Sequence, residues 1–214
     1  MIAILRHSAT VLALAAIFPT VANAQAVGVG GFFDIGTIKF TASQSFEAVL
    51  GASAGSVFGG GGQIVLPGGV FASVRASRFT NTGERVFVFE GETFDLGIDT
   101  TVKIRPVEVT AGYRFRGGPR NKVIPYIGGG IGWHRYEETS DFAEDAENVD
   151  ETFRGYHLLG GAEYRLRPWF GIGGEFQWTT VPDALGQDPN GASAAFGETD
   201  LGGIAFRARF VVGM

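Results

Sequence analysis

Residues 153–178 read FRGYHLLGGAEYRLRPWFGIGGEFQW, and this stretch predicts the fold of the chain. It divides at the Arg167-Pro168 corner into two segments whose side chains alternate in character with a period of two, as in β-strands. On the second segment one face carries Phe170, Ile172, Phe176 and Trp178, and the other carries Gly171, Gly173, Glu175 and Gln177. Long strands with one apolar face and one small or charged face are typical of transmembrane β-barrels, in which the apolar face meets lipid.

Residues 1–24 have the organisation of a secretory signal peptide. Arg6 precedes an apolar run over residues 9–18, and an A-x-A cleavage site follows that ends at Ala24. The apolar run is shorter than the ~20 residues that a membrane-spanning helix needs. We therefore predict cleavage after Ala24, which leaves residues 25–214 as one mature domain secreted through the inner membrane.

The composition excludes several classes of protein. There is no cysteine, and hence neither a disulfide framework nor a lipid-attachment cysteine. The 17 basic and 22 acidic residues give a net charge of −5, which argues against nucleic-acid binding. No later segment has the length and apolar character of a membrane-spanning helix, so membrane insertion requires a closed barrel, whose strands satisfy one another's backbone groups.

Eight strand-like stretches follow the signal peptide. They cover residues 27–40, 57–66, 70–80, 101–115, 123–139, 153–166, 169–181 and 201–214. The connections after strands two, four and six are short, whereas those after strands one, three, five and seven are long. Outer-membrane barrels combine short periplasmic turns with long external loops. The alternation therefore predicts an all-β fold, an eight-stranded antiparallel up-and-down transmembrane β-barrel in an outer membrane.

The period-two pattern assigns one face of each strand to the lumen. The predicted polar network of the lumen comprises Asp34, Gln63, Arg75, Lys103, Arg105, Glu108, Glu163, Arg165, Glu175, Gln177, Arg207 and Arg209. Charges of both signs lie at comparable depth, and we expect them to pair in a lumen just wide enough for side chains to fill it. On strand four the alternation changes phase at Pro106, and we expect a β-bulge there.

The opposite face is predicted to meet lipid and to form aromatic girdles. This set comprises Tyr113, Trp133, Tyr156, Tyr164, Phe170, Ile172, Phe176, Trp178, Phe206 and Phe210. A soluble ligand-binding barrel would exchange the two faces. The aromatic side chains collect in two tiers near the strand ends, as at membrane interfaces, which favours the membrane barrel.

Residues 46–50 are expected to form one helical turn in the first long loop. The apolar run at residues 86–89 either extends strand three or packs over the barrel mouth.

The chain resembles the small eight-stranded outer-membrane barrels of the OmpA, OmpX and OmpW type. The resemblance rests on PYIGGGIGWHRY at residues 125–136 and FFDIGTIKFTASQSFEA at residues 32–48, which are similar to outer-membrane β-barrel domains. It implies outer-membrane lipid and lipopolysaccharide as partners, and insertion by the barrel-assembly machinery. Such barrels usually end in an aromatic residue, whereas this chain ends in Met214; we expect a weaker form of that signal, carried by Phe206 and Phe210.

Some small outer-membrane barrels are lipid-modifying enzymes. Acyl transfer needs a serine near a histidine base and an orienting acid. Neither His134 nor His157 has a serine two residues away on its own face. We predict that both histidines belong to the polar network of the lumen and that the chain is not an enzyme. The glycine runs lie inside strands and open no helix, so they predict no phosphate loop, and no spacing predicts a zinc site or a cofactor.

Residues 137–151 are strongly acidic. The carboxylates are those of Glu137, Glu138, Asp141, Glu144, Asp145, Glu147, Asp150 and Glu151. They offer oxygen ligands for a divalent cation, but a solvated loop is the simpler interpretation. The role expected from the sequence is structural or interactive, through external loops that meet an unknown surface partner, on a barrel with a plugged lumen. The alternatives are an OmpW-like narrow channel, a lipid-modifying enzyme and a soluble ligand-binding barrel.

Overall fold

The computed structural model describes residues 27–89, 92–115, 122–140, 149–187 and 191–213. The predicted signal peptide and Met214 lie outside the described residues. Antiparallel strands close a barrel in chain order. They are β1 (Gly28–Phe40), β2 (Ala54–Val65), β3 (Val70–Phe89), β4 (Glu92–Arg114), β5 (Val123–Ser140), β6 (Val149–Arg167), β7 (Phe170–Thr180) and β8 (Gly203–Gly213). The predicted eight-stranded antiparallel up-and-down barrel is confirmed.

Within the described ranges, two helices lie in the long connections at one end of the barrel. Helix α1 (Ser43–Leu50) follows β1, in agreement with the predicted helical turn, and helix α2 (Ala192–Phe196) precedes β8. Within the described part of the chain, no helix is long and apolar enough to cross a membrane. At the opposite end, the tight turn between β2 and β3 contains Gly68 and Gly69 at positive φ (91° and 97°), a conformation that glycine adopts readily.

Strands β3 and β4 continue well beyond their predicted ends. Val86 pairs with Asp95 and Phe87 pairs with Phe94, so most of the long connection predicted after strand three is a two-stranded extension of the sheet. The alternating β-branched and aromatic residues at positions 86–89 favour this conformation. The apolar run therefore extends strand three, the first of its two predicted conformations, and the register shifts between Glu84 and Val86.

The two faces of the barrel differ in chemistry along most of each strand. The ten residues predicted to face lipid point away from the lumen; Phe170 is half-buried and the others are exposed. Of the predicted polar network, the residues that point inward are Asp34, Gln63, Arg75, Glu108, Glu163, Arg165, Glu175, Gln177, Arg207 and Arg209. An apolar exterior around a charged interior is the arrangement of a transmembrane barrel and the reverse of a soluble one.

The prediction for Lys103 and Arg105 was wrong. Both side chains point outward, whereas Val102 and Ile104 are buried inside the barrel, at 2% and 4% exposure. The predicted bulge at Pro106 does not occur, because the pairing of β4 with β5 is continuous through that residue. The chemistry of the strand changes there instead. Beyond this level the inner face packs against helix α1 and loop residues, and the outer face carries polar side chains.

An apolar cap fills the barrel at the end with the long connections. Phe46 of α1 stacks on Phe40 with 4.0 Å between ring centroids and 10° between planes, and Phe79 packs edge-on against Phe40 at 4.9 Å. The other buried members of the cap are Ala42, Leu50, Val102, Ile104, Tyr136, Val181, Ala184, Leu185 and Leu201. The cap lies across the end of the lumen and covers the charged interior.

Candidate functional site

Arg75 is the centre of the polar network in the lumen. Its Nε donates to Asp34 Oδ2 at 3.0 Å, its Nη1 to Gln177 Oε1 at 2.7 Å, and its Nη2 to Glu175 Oε1 at 2.5 Å. The guanidinium lies on β3, and its partners come from β1 and β7. These contacts therefore cross the lumen, and Arg75 is only 3% exposed.

Glu175 receives hydrogen bonds from a second side of the lumen. Its Oε2 accepts from Arg209 Nη1 at 2.9 Å and from the Tyr126 hydroxyl at 3.0 Å. The Arg209 guanidinium carbon lies 3.6 Å from the ring centroid of Phe32, in a cation–π contact. Opposite charges are also adjacent in the sheet, where Glu175 pairs with Arg207 and Asp34 pairs with Arg209.

A second layer of charge lies towards the short turns. Arg114 Nη2 donates to Glu163 Oε2 at 2.5 Å, and Arg165 forms an ion pair with the other oxygen of that carboxylate, also at 2.5 Å. The Arg165 side chain is 18% exposed, which places it at the rim of the lumen. Arg114 was not among the residues predicted for the network, although its alternation with Tyr113 indicates the inner face.

A third layer lies beneath the apolar cap and contains His134 and His157. Gln177 Nε2 donates to Glu108 Oε1 at 2.6 Å, and that oxygen lies 3.8 Å from His157 Nδ1. The other ring nitrogen, His157 Nε2, is hydrogen-bonded to the Thr110 hydroxyl at 2.9 Å. Hydroxyl, imidazole and carboxylate follow one another in the order of a catalytic triad, but all three side chains are buried, at 2–3% exposure.

A cavity of about 30 Å³ adjoins this layer and the cap. Ser77 Oγ, Glu108 Oε2, His134 Nε2 and Arg207 Nε are buried side-chain atoms of its lining, and none of them has a hydrogen-bond partner among the described residues. A cavity of this size with several polar neighbours has room for an ordered water, which buried polar groups commonly use to complete their hydrogen bonding. We expect one there.

A much larger cleft of about 680 Å³ opens outside the apolar cap. Its apolar lining comes from α1, from the β3–β4 extension, from β6 and from the segment before α2, and includes Phe46, Leu50, Phe87, Leu96, Phe153 and Leu185. Arg85, Glu138 and Glu151 supply charged groups. The Tyr136 hydroxyl donates to Glu138 Oε2 at 2.6 Å; burial, together with this carboxylate, raises the pKa of Tyr136 well above its ordinary value.

The acidic stretch at residues 137–151 is only partly described, because residues 141–148 lie outside the described ranges. Glu137 and Asp150 point outward and pair with Arg105 and Arg135. Among the residues that the structure describes, no group of three or more histidine or acidic side chains is placed to hold a metal ion. The interpretation of this stretch as a solvated loop, and its alternative as a divalent-cation site, both stay untested.

Comparison with known proteins relates the chain to membrane barrels. Residues 8–199 match the family model described as "Outer membrane protein beta-barrel domain". Neisserial surface protein A superposes with a TM-score of 0.52 at 12% identity, covering 88% of this chain and 97% of its own. The N-terminal β-barrel domain of Pseudomonas aeruginosa OprF gives 0.51 at 12% identity, covering 87% and 99%.

A major outer membrane protein from Thermus thermophilus gives a TM-score of 0.55 at 10% identity, covering 87% of this chain and 99% of its own. At these identities the likeness concerns the fold alone. Among curated proteins, none matches the sequence significantly.

Proposed function

The chain belongs to the outer membrane protein β-barrel domain family, and from that premise we propose that it is a closed outer-membrane barrel that acts through the end bearing its long connections. In this proposal the protein transports no solute and catalyses no reaction. Its short turns face the periplasm, and its long connections face the outside of the cell.

The observation that carries the proposal is the filling of the barrel at successive depths. The ion pairs around Arg75 and Glu175 occupy the middle of the lumen, at distances of 2.5–3.0 Å. The rings of Phe40, Phe46 and Phe79 close the barrel above them. An ion crossing this lumen would have to displace both a buried salt-bridge network and a packed apolar cluster, and each displacement has a large free-energy cost.

The absence of catalysis is inferred from access. Thr110, His157 and Glu108 lie beneath the apolar cap and are almost completely buried. A substrate carbonyl must come within about 3 Å of the nucleophile and of the groups that stabilise the oxyanion. The triad-like order of these three side chains is therefore better explained as hydrogen bonding within the lumen.

The external cleft supports the interactive part of the proposal. Its volume falls within the ~300–1,000 Å³ range of small-molecule sites, and such sites combine an apolar lining with a few polar groups. The cap separates the cleft from the lumen, so a molecule bound there would be held at the surface and would not pass through.

Conductance in a planar bilayer tests the proposal. We expect the refolded wild-type protein to insert without producing steady ionic current. The variants Phe46→Ala and Glu175→Gln should each stay closed, because each perturbs only one of the two barriers. A sample of a known open porin, inserted under the same conditions, serves as the positive control. Steady single-channel currents from the wild-type protein would contradict a closed lumen and favour the narrow-channel alternative.

A further inference from the structure

Five basic side chains form a patch on the outer face of the barrel. This basic cluster consists of Arg78, Lys103, Arg105, Arg135 and Arg154, which point away from the lumen on the four adjacent strands β3 to β6. It includes the two residues that the sequence pattern had assigned to the lumen. At the same level of β1, β2, β7 and β8, the described residues contribute only Lys39.

The strand register brings like charges directly together. Arg105 of β4 is paired with Arg135 of β5. The pairing of Ala76 with Val107 and of Phe79 with Ile104 also sets Arg78 opposite Arg105. Like charges directly opposite one another on the same face of a sheet are destabilising unless they are neutralised. This part of the surface therefore requires counter-charges.

The residues that the structure describes supply part of that neutralisation. Arg105 Nη1 lies 2.9 Å and Arg135 Nε 3.0 Å from Glu137 Oε1, and Arg135 Nη2 lies 2.6 Å from Asp150 Oδ2. The Nε of Arg78 donates to the Thr80 hydroxyl at 2.9 Å, which provides no negative charge. Among the described residues, two carboxylates thus contact this cluster of five cations, and positive charge is in excess at this level of the outer face.

The basic cluster lies at the depth of a lipid headgroup. Trp133, in the aromatic girdle, is paired with Arg154. On the same strand as Trp133, Arg135 lies two residues further on, a rise of about 7 Å. Aromatic girdles mark the boundary between hydrocarbon and headgroups. Side chains just beyond the girdle that point away from the barrel therefore meet headgroups before they meet bulk water.

We propose that the basic cluster binds the phosphate groups of a lipopolysaccharide headgroup. The site rests on the proposed orientation, in which this end of the barrel lies in the outer leaflet. Arginine guanidinium groups bind phosphate oxygens through paired, charge-assisted hydrogen bonds. Four adjacent strands spread the cations over about 14 Å, a span that fits a headgroup carrying more than one phosphate better than a single phosphodiester. Bound phosphates would neutralise the excess charge.

The double variant Arg78→Gln/Arg105→Gln tests this site. It removes two cations and leaves Arg135 to pair with both Glu137 and Asp150, so no carboxylate loses its last partner. Lys122→Gln/Arg167→Gln is the matched control, because it removes two exposed cations at the short-turn end. Each protein is placed in phosphatidylcholine nanodiscs, and its binding of added lipopolysaccharide or phosphatidylglycerol is measured by native mass spectrometry.

We expect the wild-type and control proteins to bind lipopolysaccharide in preference to phosphatidylglycerol. The cluster variant should bind lipopolysaccharide at least tenfold more weakly, the loss expected for about one charge-assisted contact. In phosphatidylcholine alone, the unfolding midpoint of the cluster variant should not fall below that of the wild type, because the repulsion between adjacent arginines has been removed. Equal lipopolysaccharide binding by all three proteins, or equal binding of the two lipids by the wild type, would overturn the proposal. Neither readout depends on whether the lumen conducts.

Discussion

At the scale of single residues, Glu175 has the most demanding environment in the lumen. It accepts hydrogen bonds from Arg75, Tyr126 and Arg209 and is 3% exposed. Glu175→Gln keeps the shape of the side chain but removes the charge that compensates these guanidinium groups. We expect the free energy of unfolding to fall by about 3–5 kcal/mol, because breaking one partner of a buried ion pair leaves an uncompensated charge.

Urea unfolding in lipid vesicles measures this loss, with Glu137→Gln as the control. Glu137 lies on the outer face and pairs with two partly exposed arginines, so its loss should cost less than about 1 kcal/mol. Equal stabilities of Glu175→Gln and the wild type would mean that water already screens the lumen charges.

Gly61 and Gly62 are adjacent but differ in the space around them. A Cβ at Gly61 would clash with the carbonyl oxygen of Val74 and lie 2.9 Å from Phe32 Cζ, whereas a Cβ at Gly62 would meet only one atom, at 3.9 Å. Gly61→Ala should therefore lower the free energy of unfolding by about 1–3 kcal/mol, and Gly62→Ala should leave it almost unchanged. Equal effects in an unfolding titration would show that the inner wall has room to adjust.

At the scale of elements, helix α1 depends on a distant side chain. The Glu198 carboxylate accepts hydrogen bonds from the backbone amides of Gln44 and Ser45, at 3.1 and 2.8 Å, and from the Ser45 hydroxyl at 2.6 Å. The start of the helix has no cap of its own. Glu198 therefore satisfies donors that the first turn leaves unpaired and adds a negative charge where the helix dipole favours one.

Glu198→Ala should loosen α1 without unfolding the barrel. We expect faster amide exchange at Ser45 and Phe46, since a lost N-terminal cap costs about 0.5–2 kcal/mol of helix stability. Amide protection in β7 should be unchanged and serves as the internal control. Unaltered exchange in α1 would show that packing of Phe46 in the cap is sufficient to hold the helix.

Beyond the aromatic girdle, the pairing of β5 with β6 should depend on pH through Asp150. The hydrogen bonds from Arg135 lower the pKa of this carboxyl group. The Arg135–Asp150 ion pair therefore stabilises the pairing of β5 with β6 while Asp150 is ionised. Its contribution is present above the ordinary aspartate pKa of about 3.9 and is lost as the pH falls through the lowered value. A carboxyl carbon NMR titration measures the shift, and Arg135→Gln should return the pKa towards its ordinary value.

At the scale of the whole molecule, the proposed orientation predicts which segments are accessible on intact cells. The long connections contain residues 141–148 and 188–190, and a protease added outside should cleave near them. The turn at Pro67 should be spared, because it would face the periplasm. Cleavage at that turn in intact cells, with both long connections protected, would show that the barrel has the opposite orientation. Lysed cells, in which both ends are accessible, provide the control.

The sequence by itself determined the strands, their order and most of the lumen. Period-two alternation reports which side chains share a face, and alternating short and long connections report an up-and-down barrel; both signals are local. Asp34, Glu175 and Arg207 could therefore be assigned to the inside without coordinates. Alternation does not predict which charges pair. Arg75 and Asp34, for example, meet across the lumen from strands that are not neighbours.

Only the tertiary structure decided what changes along the strand axis. Alternation gives the face of a side chain but not the surroundings of that face. Where the barrel leaves the hydrocarbon, the inner face becomes apolar and the outer face becomes polar. At Lys103 and Arg105 the same strand continues in the same register, yet the inner face now packs against α1 and the outer face carries charge. That reversal depends on where a helix from another segment folds into the mouth, so it was not contained in the local pattern of strand four.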